Sequence, residues 1–469
     1  MDATEVAGLP NNALHKVPSN LETLEKVDDP HTSEGVSALA SADRGFSAWV
    51  TLAASGLMGF FVVGFPSCSG VLLATYLDDE VYASQAHAAT LLPLIGTFNM
   101  SLIYCGIAVL ASPIRCWPRL RRAYTWLGLA TCFLSLLGAS LTTDIKLLIA
   151  LEGVAFGIGA ALVYCPLVSY MNEWFIERRG TANGIIFAAD NAGGMLFPII
   201  MPVLIARFGV AATLRIYAVA LGLCLVPAAF FLKPRLPETP AAAPTLASKH
   251  TRRWWHDHRL WLTLALNTLQ GLAHFVPLTW LPTFATALGR SERSASLVLT
   301  LANGAMTLSG FGAGWLSDRV GVWALAVGSL LLSALATFVL WGVAAAAYGG
   351  VLAYGVVFGL GAGCWSSLYS GFAKPVAGDD PTLATTIFSL LLFTRGVGSI
   401  ASTPIATALQ NVKVSAIQSY APTTGFAVEG GHFTAVIIYT GACLSLAFAL
   451  GCMGWVLNRE VSETPVEEV

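Results

Sequence analysis

Charge is scarce in this chain. Only 11% of its 469 residues are Asp, Glu, Lys or Arg, against roughly 25% in a soluble domain. Hydrophobic residues make up 55%, and the mean hydropathy is +0.69. An ordinary soluble globule is excluded, and a polytopic membrane protein is implied. Net charge is −2, with no basic excess for nucleic acid. The nine cysteines are scattered and form no C-x-x-C pair, so neither a metal site nor a disulfide framework is expected. No G-x-x-x-x-G-K-[S/T] loop occurs, and no polar stretch is large enough for an ATPase. Energy must come from a gradient, or movement is passive. No cofactor is called for. Residues 1–45 lack the apolar core of a signal peptide, and Met1-Asp2 excludes N-myristoylation. The only N-x-S/T sequon, Asn99-Met100-Ser101, lies in an apolar run and is not expected to be glycosylated.

What is present is a series of apolar runs, each long enough to span a bilayer at about 20 residues. Twelve are expected: 47–75, 87–111, 123–142, 147–171, 181–205, 213–233, 259–286, 295–316, 322–343, 347–372, 383–407 and 432–457. Residues 1–45 read as a disordered tail and 458–469 as a short one. The Pro- and Arg-containing stretch 234–258 (Pro234, Pro237, Pro240, Pro244, Arg252, Arg253) reads as a linker between bundles 46–233 and 259–457. Twelve spans put both termini on one side. If that side is cytoplasmic, its tails and loops hold 18 of the 25 Lys and Arg and the opposite loops hold six; the last, Arg395, lies within a span. The positive-inside rule therefore places both termini in the cytoplasm.

A duplication supports two halves. Gly153-Val154-Ala155-Phe156-Gly157-Ile158-Gly159-Ala160 returns 202 residues later as Gly355-Val356-Val357-Phe358-Gly359-Leu360-Gly361-Ala362, identical at six of eight positions. Glycines at this spacing strip one helix face so that another helix can approach. Repeated six-helix halves are a common transporter architecture. After the eighth span comes Gly314-Trp315-Leu316-Ser317-Asp318-Arg319-Val320-Gly321. Here Asp318 can cap a neighbouring helix N-terminus and pair with Arg, holding the cytoplasmic ends together. The equivalent first-half loop, Ser112 to Trp117, has no such Gly or Asp, although Arg115, Arg119, Arg121 and Arg122 keep it basic.

These features resemble the major facilitator superfamily, with its G-x-L-x-D-R-x-G loop motif. Three stretches narrow the resemblance to fungal, monocarboxylate-transporter-like members. They are Asp43-Arg44-Gly45-Phe46-Ser47-Ala48-Trp49 at the first helix, Trp174-Phe175-Ile176-Glu177-Arg178-Arg179-Gly180-Thr181-Ala182-Asn183-Gly184 at the fifth, and Phe275-Val276-Pro277 with Leu281 to Ala285 and Leu301-Ala302-Asn303 at the seventh and eighth. The resemblance covers nearly all of 43–457 and implies a cytoplasmic gate that includes Gly314, Asp318, Arg319, Gly321, Arg178 and Arg179. Departures matter too. Animal monocarboxylate carriers have a Lys after Phe-Pro in the first helix, where this chain has Ser67. Their Asp and Arg of the eighth helix align with Met306 and Gly310. Lactate–proton cotransport is therefore not implied.

Ionisable groups inside a span are costly and generally have a partner or a task. Four are expected there: Glu152, Asp190, His274 and Arg395. Arg395, mid-span in the eleventh helix, either recognises a substrate anion bidentately or locks helices. Asp190 either carries a transported proton or bonds to a neighbouring helix. Asn267, Gln270 and His274 recur at i, i+3 and i+7 and share one helix face. The family's helix order turns that face, with Trp365, Ser366, Ser367 and Tyr369 of the tenth helix, toward substrate. His274 is a second proton candidate. By the same order Asp190 is expected to reach Asn303, and Arg395 to reach Asn99. Glu152 is expected to be interfacial and to pair with Lys146.

The fold class is thus all-α: twelve transmembrane helices in two pseudo-symmetric six-helix bundles. The expected function is secondary transport of a small organic solute, a carboxylate or a secondary metabolite, by alternating access, with protons as coupling ion. The alternative is a metabolite efflux carrier without such coupling. A membrane enzyme is not expected, because the four intramembrane ionisable groups sit on four helices. A receptor on the same fold is not expected either, since it would need a long cytoplasmic signalling segment and the tail (458–469) and linker (234–258) are short. The partners expected are the solute, the bilayer and protons. A monomer in the plasma membrane is expected.

Overall fold

The computed structural model describes residues 41–236, 254–378, 381–410 and 423–463, and among them there are helices and no strand. The expected tail (1–40), the linker prolines Pro237, Pro240 and Pro244 with Arg252 and Arg253, and the last residues, 464–469, lie outside the described residues.

Among the described residues, nine helical segments are both long and apolar enough to cross a bilayer. Leu120–Ala139 and His258–Ala287 are also of spanning length but more polar. The 53-residue segment Arg179–Phe231 contains two spans. At about 1.5 Å per residue it would run about 80 Å, far beyond a ~30 Å hydrocarbon core. It breaks at Gly209, with φ 77° and ψ 168°, a conformation open to glycine because no Cβ clashes. Twelve spanning helices result, as expected. They are α1 (Phe46–Asp78), α2 (Leu94–Cys116), α3 (Leu120–Ala139), α4 (Ile145–Trp174), α5 (179–208), α6 (210–231), α7 (His258–Ala287), α8 (Glu292–Ser317), α9 (Val322–Ala346), α10 (Tyr348–Ala377), α11 (Pro381–Gln410) and α12 (Thr434–Glu463). Alternation places the start of α1 and the end of α12 on one face, called the terminal face below; the opposite one is the far face.

Boundaries shift where local chemistry dictates. The second span begins at Leu94 rather than 87, because His87 takes a left-handed φ of 63° before a separate turn, Ala88–Leu91. α9 and α10 part at Ala347, whose extended backbone ends one helix and starts the next. The tail is ordered at its end, since Asp43 is buried and bonded.

The duplicated octapeptides pack alike. In α4, a methyl at Gly157 would lie 3.1 Å from the Asn99 carbonyl oxygen of α2, and one at Gly159 would lie 3.0 Å from the Gly128 carbonyl of α3. In α10, Gly359 meets the Ala302 carbonyl of α8, and a methyl at Gly361 would lie 3.1 Å from the Ser329 carbonyl of α9. Phe156 and Phe358 are both fully buried. The second, third and fourth helices thus correspond to the eighth, ninth and tenth. Gly359→Val is expected to cost about 1–3 kcal/mol or more through overpacking, read as a lower Tm of the purified protein. The exposed Gly312, with open space around it, should accept Ala with little change.

Candidate functional site

Arg395 lies in the middle of α11 and is only 3% exposed. Its flanking glycines explain how it gets there. A methyl at Gly396 would lie 2.9 Å from the Tyr104 Cβ of α2, and one at Gly398 would lie 2.8 Å from the Leu272 backbone nitrogen of α7. The Arg-Gly-x-Gly sequence therefore draws α2 and α7 in on either side of the guanidinium. Nη1 donates to Gln270 Oε1 at 2.8 Å. The rings of Phe275 and Tyr104 stand 5.4 and 6.0 Å from the guanidinium carbon, and the phenol groups of Tyr104 and Tyr369 lie in its field. Among the described residues no carboxylate pairs with Arg395, and its Nε has no partner. A buried guanidinium keeps its charge, so this centre holds a cation with donors to spare.

The stripe on α7 divides by task. Asn267 is fully buried and fully used. Its Nδ2 donates to the Leu391 carbonyl (2.6 Å) and Thr394 Oγ1 (2.8 Å); its Oδ1 accepts from Trp365 Nε1 (2.7 Å) and the Tyr369 hydroxyl (2.9 Å). A carboxamide offers two donors and two strong acceptor sites, so Asn267 joins α7, α10 and α11 and has nothing left for a solute. Trp365 spends its only donor there. Tyr369, bonded to Asn267, also borders Arg395. Gln270 holds Arg395. His274 is buried, packs edge-on to Phe275 at 5.0 Å, and has no partner at Nδ1. Four of the six expected substrate residues thus form one connected group around Arg395: Gln270, Asn267, Trp365 and Tyr369. Their contacts make them its scaffold.

Asp190 in α5 is buried in the other half. Its Oδ2 accepts from the Tyr164 hydroxyl of α4 at 2.8 Å. Its Oδ1 has no hydrogen-bond partner and rests against Gly59 of α1, where no side chain could stand. The expected Asp190–Asn303 contact is not made. Asn303 donates to its own helix at the Leu299 carbonyl (3.1 Å) and faces α5 one turn later, at Gly194. Asn99 likewise misses Arg395 and donates to the Glu152 carbonyl oxygen at 3.0 Å. Glu152 is buried in a π-helical turn, Ile149–Ala155, and accepts from the Tyr76 hydroxyl at 2.9 Å. Lys146 is not its partner among the described residues; Tyr76, two residues from the end of α1, takes that place.

Tyr164 and Tyr104 were not singled out in the sequence. The fields of Asp190 and Arg395 both reach the Tyr104 phenol. A polar line thus runs from Asp190 and Tyr164 in one half, through Tyr104, to Arg395 and Gln270 in the other. The signal was available: a phenol hydroxyl within an apolar span generally finds a polar partner.

The terminal face is closed by a clamp on the start of α5. Asp43, preceding α1, accepts from the backbone N–H groups of Ile176, Glu177 and Arg178 at 2.9–3.1 Å. Asp318, ending α8, accepts from Gly180 N–H (2.9 Å), Thr181 N–H (2.7 Å) and the Thr181 hydroxyl (2.6 Å). The positive end of α5 and its free N–H groups favour both carboxylates. Gly314 lets α8 come this close, since a methyl there would lie 2.7 Å from Gly184 Cα. Arg319 lies over the Trp315 ring at 3.8 Å, Arg179 donates to the Phe175 carbonyl at 2.9 Å, and Gly321 begins α9. Asn172 bridges to Thr385 of α11 at 3.0 Å. Deeper, Phe187 of α5 stacks on Phe388 of α11 at 6.3 Å and meets Tyr369 edge-on at 6.4 Å.

The model of the Major Facilitator Superfamily matches residues 56–403, about three quarters of the chain. The chain belongs to that superfamily. It is a multi-pass membrane transporter rather than an enzyme. The MFS transporter asaE of Aspergillus flavus is 24% identical over 435 residues, covering 92% of this chain and 90% of the relative. The fujikurins efflux protein of Gibberella fujikuroi is 27% identical over 248 residues, 52% of this chain and 51% of the relative. Among solved structures, the superfamily transporter FucP, crystallised in its outward conformation, superposes with a TM-score of 0.60 at 11% identity, covering 87% of this chain and 99% of FucP. That likeness concerns the fold alone. Within the superfamily fold, Arg395 and Asp190 mark opposite halves of the centre, and the Asp318 clamp ties the halves at one face.

Proposed function

We propose that this superfamily member is an alternating-access carrier of a small organic acid, a carboxylate-bearing secondary metabolite, driven in exchange with protons. The observation that carries the reading is Arg395: a buried cation whose partners among the described residues are neutral. A solute carboxylate would complete its hydrogen bonds, and truncating one member of such a pair costs about 2–5 kcal/mol. Asp190, with one free oxygen beside Gly59, is the proton group, and His274 is the second. Export is favoured by the likeness to the fujikurins efflux protein and by the missing lactate-type residues. The motifs at Asp43–Trp49 and Trp174–Gly184 support the monocarboxylate-transporter-like branch. The distribution of Lys and Arg supports cytoplasmic termini, a plasma-membrane monomer completing the reading. The closed terminal face then corresponds to a state facing outward.

The test is transport in sealed vesicles with an imposed pH gradient, using apolar carboxylic acids beside their methyl esters. The acids should accumulate and the esters should not. Arg395→Ala should lower acid transport at least about 30-fold, with Arg395→Lys retaining part of it. Asp190→Asn should keep counterflow at zero gradient while losing gradient-driven accumulation. If esters move as well as acids and both variants stay active, the site is not an anion site and the two charges only hold helices together.

A further inference from the structure

A cavity lies outside the central site, at the terminal face where α3 begins and α6 ends. It measures about 290 Å³ and is lined by Arg122, Thr125, Trp126, Phe230 and Lys233 among others. Its surroundings dispose of the nearest acid. Glu173 of α4 pairs with Arg121 and accepts the Arg235 backbone N–H at 3.2 Å, while the Arg235 guanidinium donates to the Glu173 carbonyl at 3.1 Å. Trp174 Nε1 donates to the Lys233 carbonyl at 2.8 Å, fixing the backbone from which the Lys233 side chain leaves. Arg122 and Lys233 therefore meet in a cavity whose lining contains no carboxylate.

The other wall is apolar and faces outward. Trp126 and Phe230 pack edge-to-face at 5.1 Å and are 39% and 67% exposed on the outer surface of the bundle. They lie one turn or less deeper than the two cations, the depth at which aromatic belts meet lipid headgroups. Two cations ask for an anion, and an aromatic ridge continuing into the bilayer asks for hydrocarbon. We propose that this cavity is a binding site for an anionic phospholipid. Its phosphate lies between Arg122 and Lys233, and one acyl chain runs along Trp126 and Phe230. Basic pockets between spans on the cytoplasmic side suit the anionic leaflet, which is where the proposed orientation puts this face. A free phosphate would satisfy the cations and leave the aromatic wall bare, so the lipid is the fitting occupant. The bound lipid would bridge α3 and α6.

The test uses the full chain purified in detergent and delipidated, with thermal unfolding followed as phosphatidylglycerol, phosphatidylcholine or inorganic phosphate is added. Phosphatidylglycerol should raise Tm at lower concentration than phosphatidylcholine, and phosphate should leave it unchanged. In the double variant Arg122→Gln/Lys233→Gln the half-saturating concentration of phosphatidylglycerol should rise about 25-fold, roughly fivefold per cation removed. The proposal is overturned if phosphate alone reproduces the shift, if the two lipids act alike, or if the double variant responds as the wild type does. Should the double variant not fold, a photoreactive phosphatidylglycerol on the wild-type chain decides instead. Labelling concentrated at 122–126 and 230–233 upholds the site, and labelling spread over the belt overturns it.

Discussion

Asp318→Asn is expected to release the terminal face. Its two oxygens accept three hydrogen bonds from Gly180 and Thr181 of the opposite half. Bonds to a charged group contribute about 1.5–3 kcal/mol each when buried. Asp318 is exposed, so solvent screening lowers that considerably, and a total of about 2 kcal/mol is reasonable. That shifts a two-state equilibrium about 30-fold. Hydrogen exchange reads it directly, because the Gly180 and Thr181 amides are themselves the reporters. They should exchange roughly ten- to thirtyfold faster in the variant. Asp43→Ala should speed Ile176, Glu177 and Arg178 instead, since Asp43 grips the same segment from within its own half. Unchanged exchange at Gly180 in Asp318→Asn would show that the clamp does not hold the halves.

Asn267→Leu is expected to fail as a protein rather than as a solute binder. The substitution strands the indole N–H of Trp365 and the O–H donor of Tyr369, both buried, while the Leu391 carbonyl keeps the Thr394 hydroxyl. Each donor left unsatisfied costs about 1–3 kcal/mol, so the two together cost about 2–6 kcal/mol, which reaches the lower part of the roughly 5–15 kcal/mol stability of many domains. The purified variant should show a Tm lowered by many degrees or should not survive extraction. Gln270→Leu is the contrast. It removes one bond to Arg395 and should leave the fold standing while weakening transport. An Asn267→Leu protein with wild-type Tm and a raised apparent KM would return Asn267 to the list of solute contacts.

The architecture was legible because spans and glycine faces are written locally. The twelve runs, the octapeptide repeat and the Asp318 loop each needed only their own neighbourhood in the chain. The pairing of α5 with α8 and of α11 with α2 was implied by the family's helix order, and the structure puts Gly314 and Gly396 at those contacts. Side-chain partners were harder, because they depend on rotation and register between helices. Asp190 and Asn303 sit on touching helices, yet one turn of offset gives Asp190 to Tyr164 and leaves Asn303 at Gly194. Glu152 sits in a π-helical turn and accepts from Tyr76 at the end of α1, a partner on another helix that its own neighbourhood in the chain does not reveal. Asn267, Gln270 and His274 all lie buried on α7, and the division of that face into a spent hub and a holder of Arg395 depends on partners on α10 and α11.

Arg395 has an electrical consequence. With no carboxylate partner among the described residues, it places a fixed positive charge midway through the membrane field. One elementary charge crossing the whole field is worth about 2.3 kcal/mol per 100 mV. In the proposed alternating-access cycle, with Asp190 protonated, the unloaded centre would carry one net positive charge across part of that field as it reorients; with Asp190 ionised it would carry none. The proposed organic anion, once bound, would neutralise Arg395. The voltage dependence of the unloaded carrier's return therefore reads the proton on Asp190, and a negative cell interior draws the protonated, empty carrier inward.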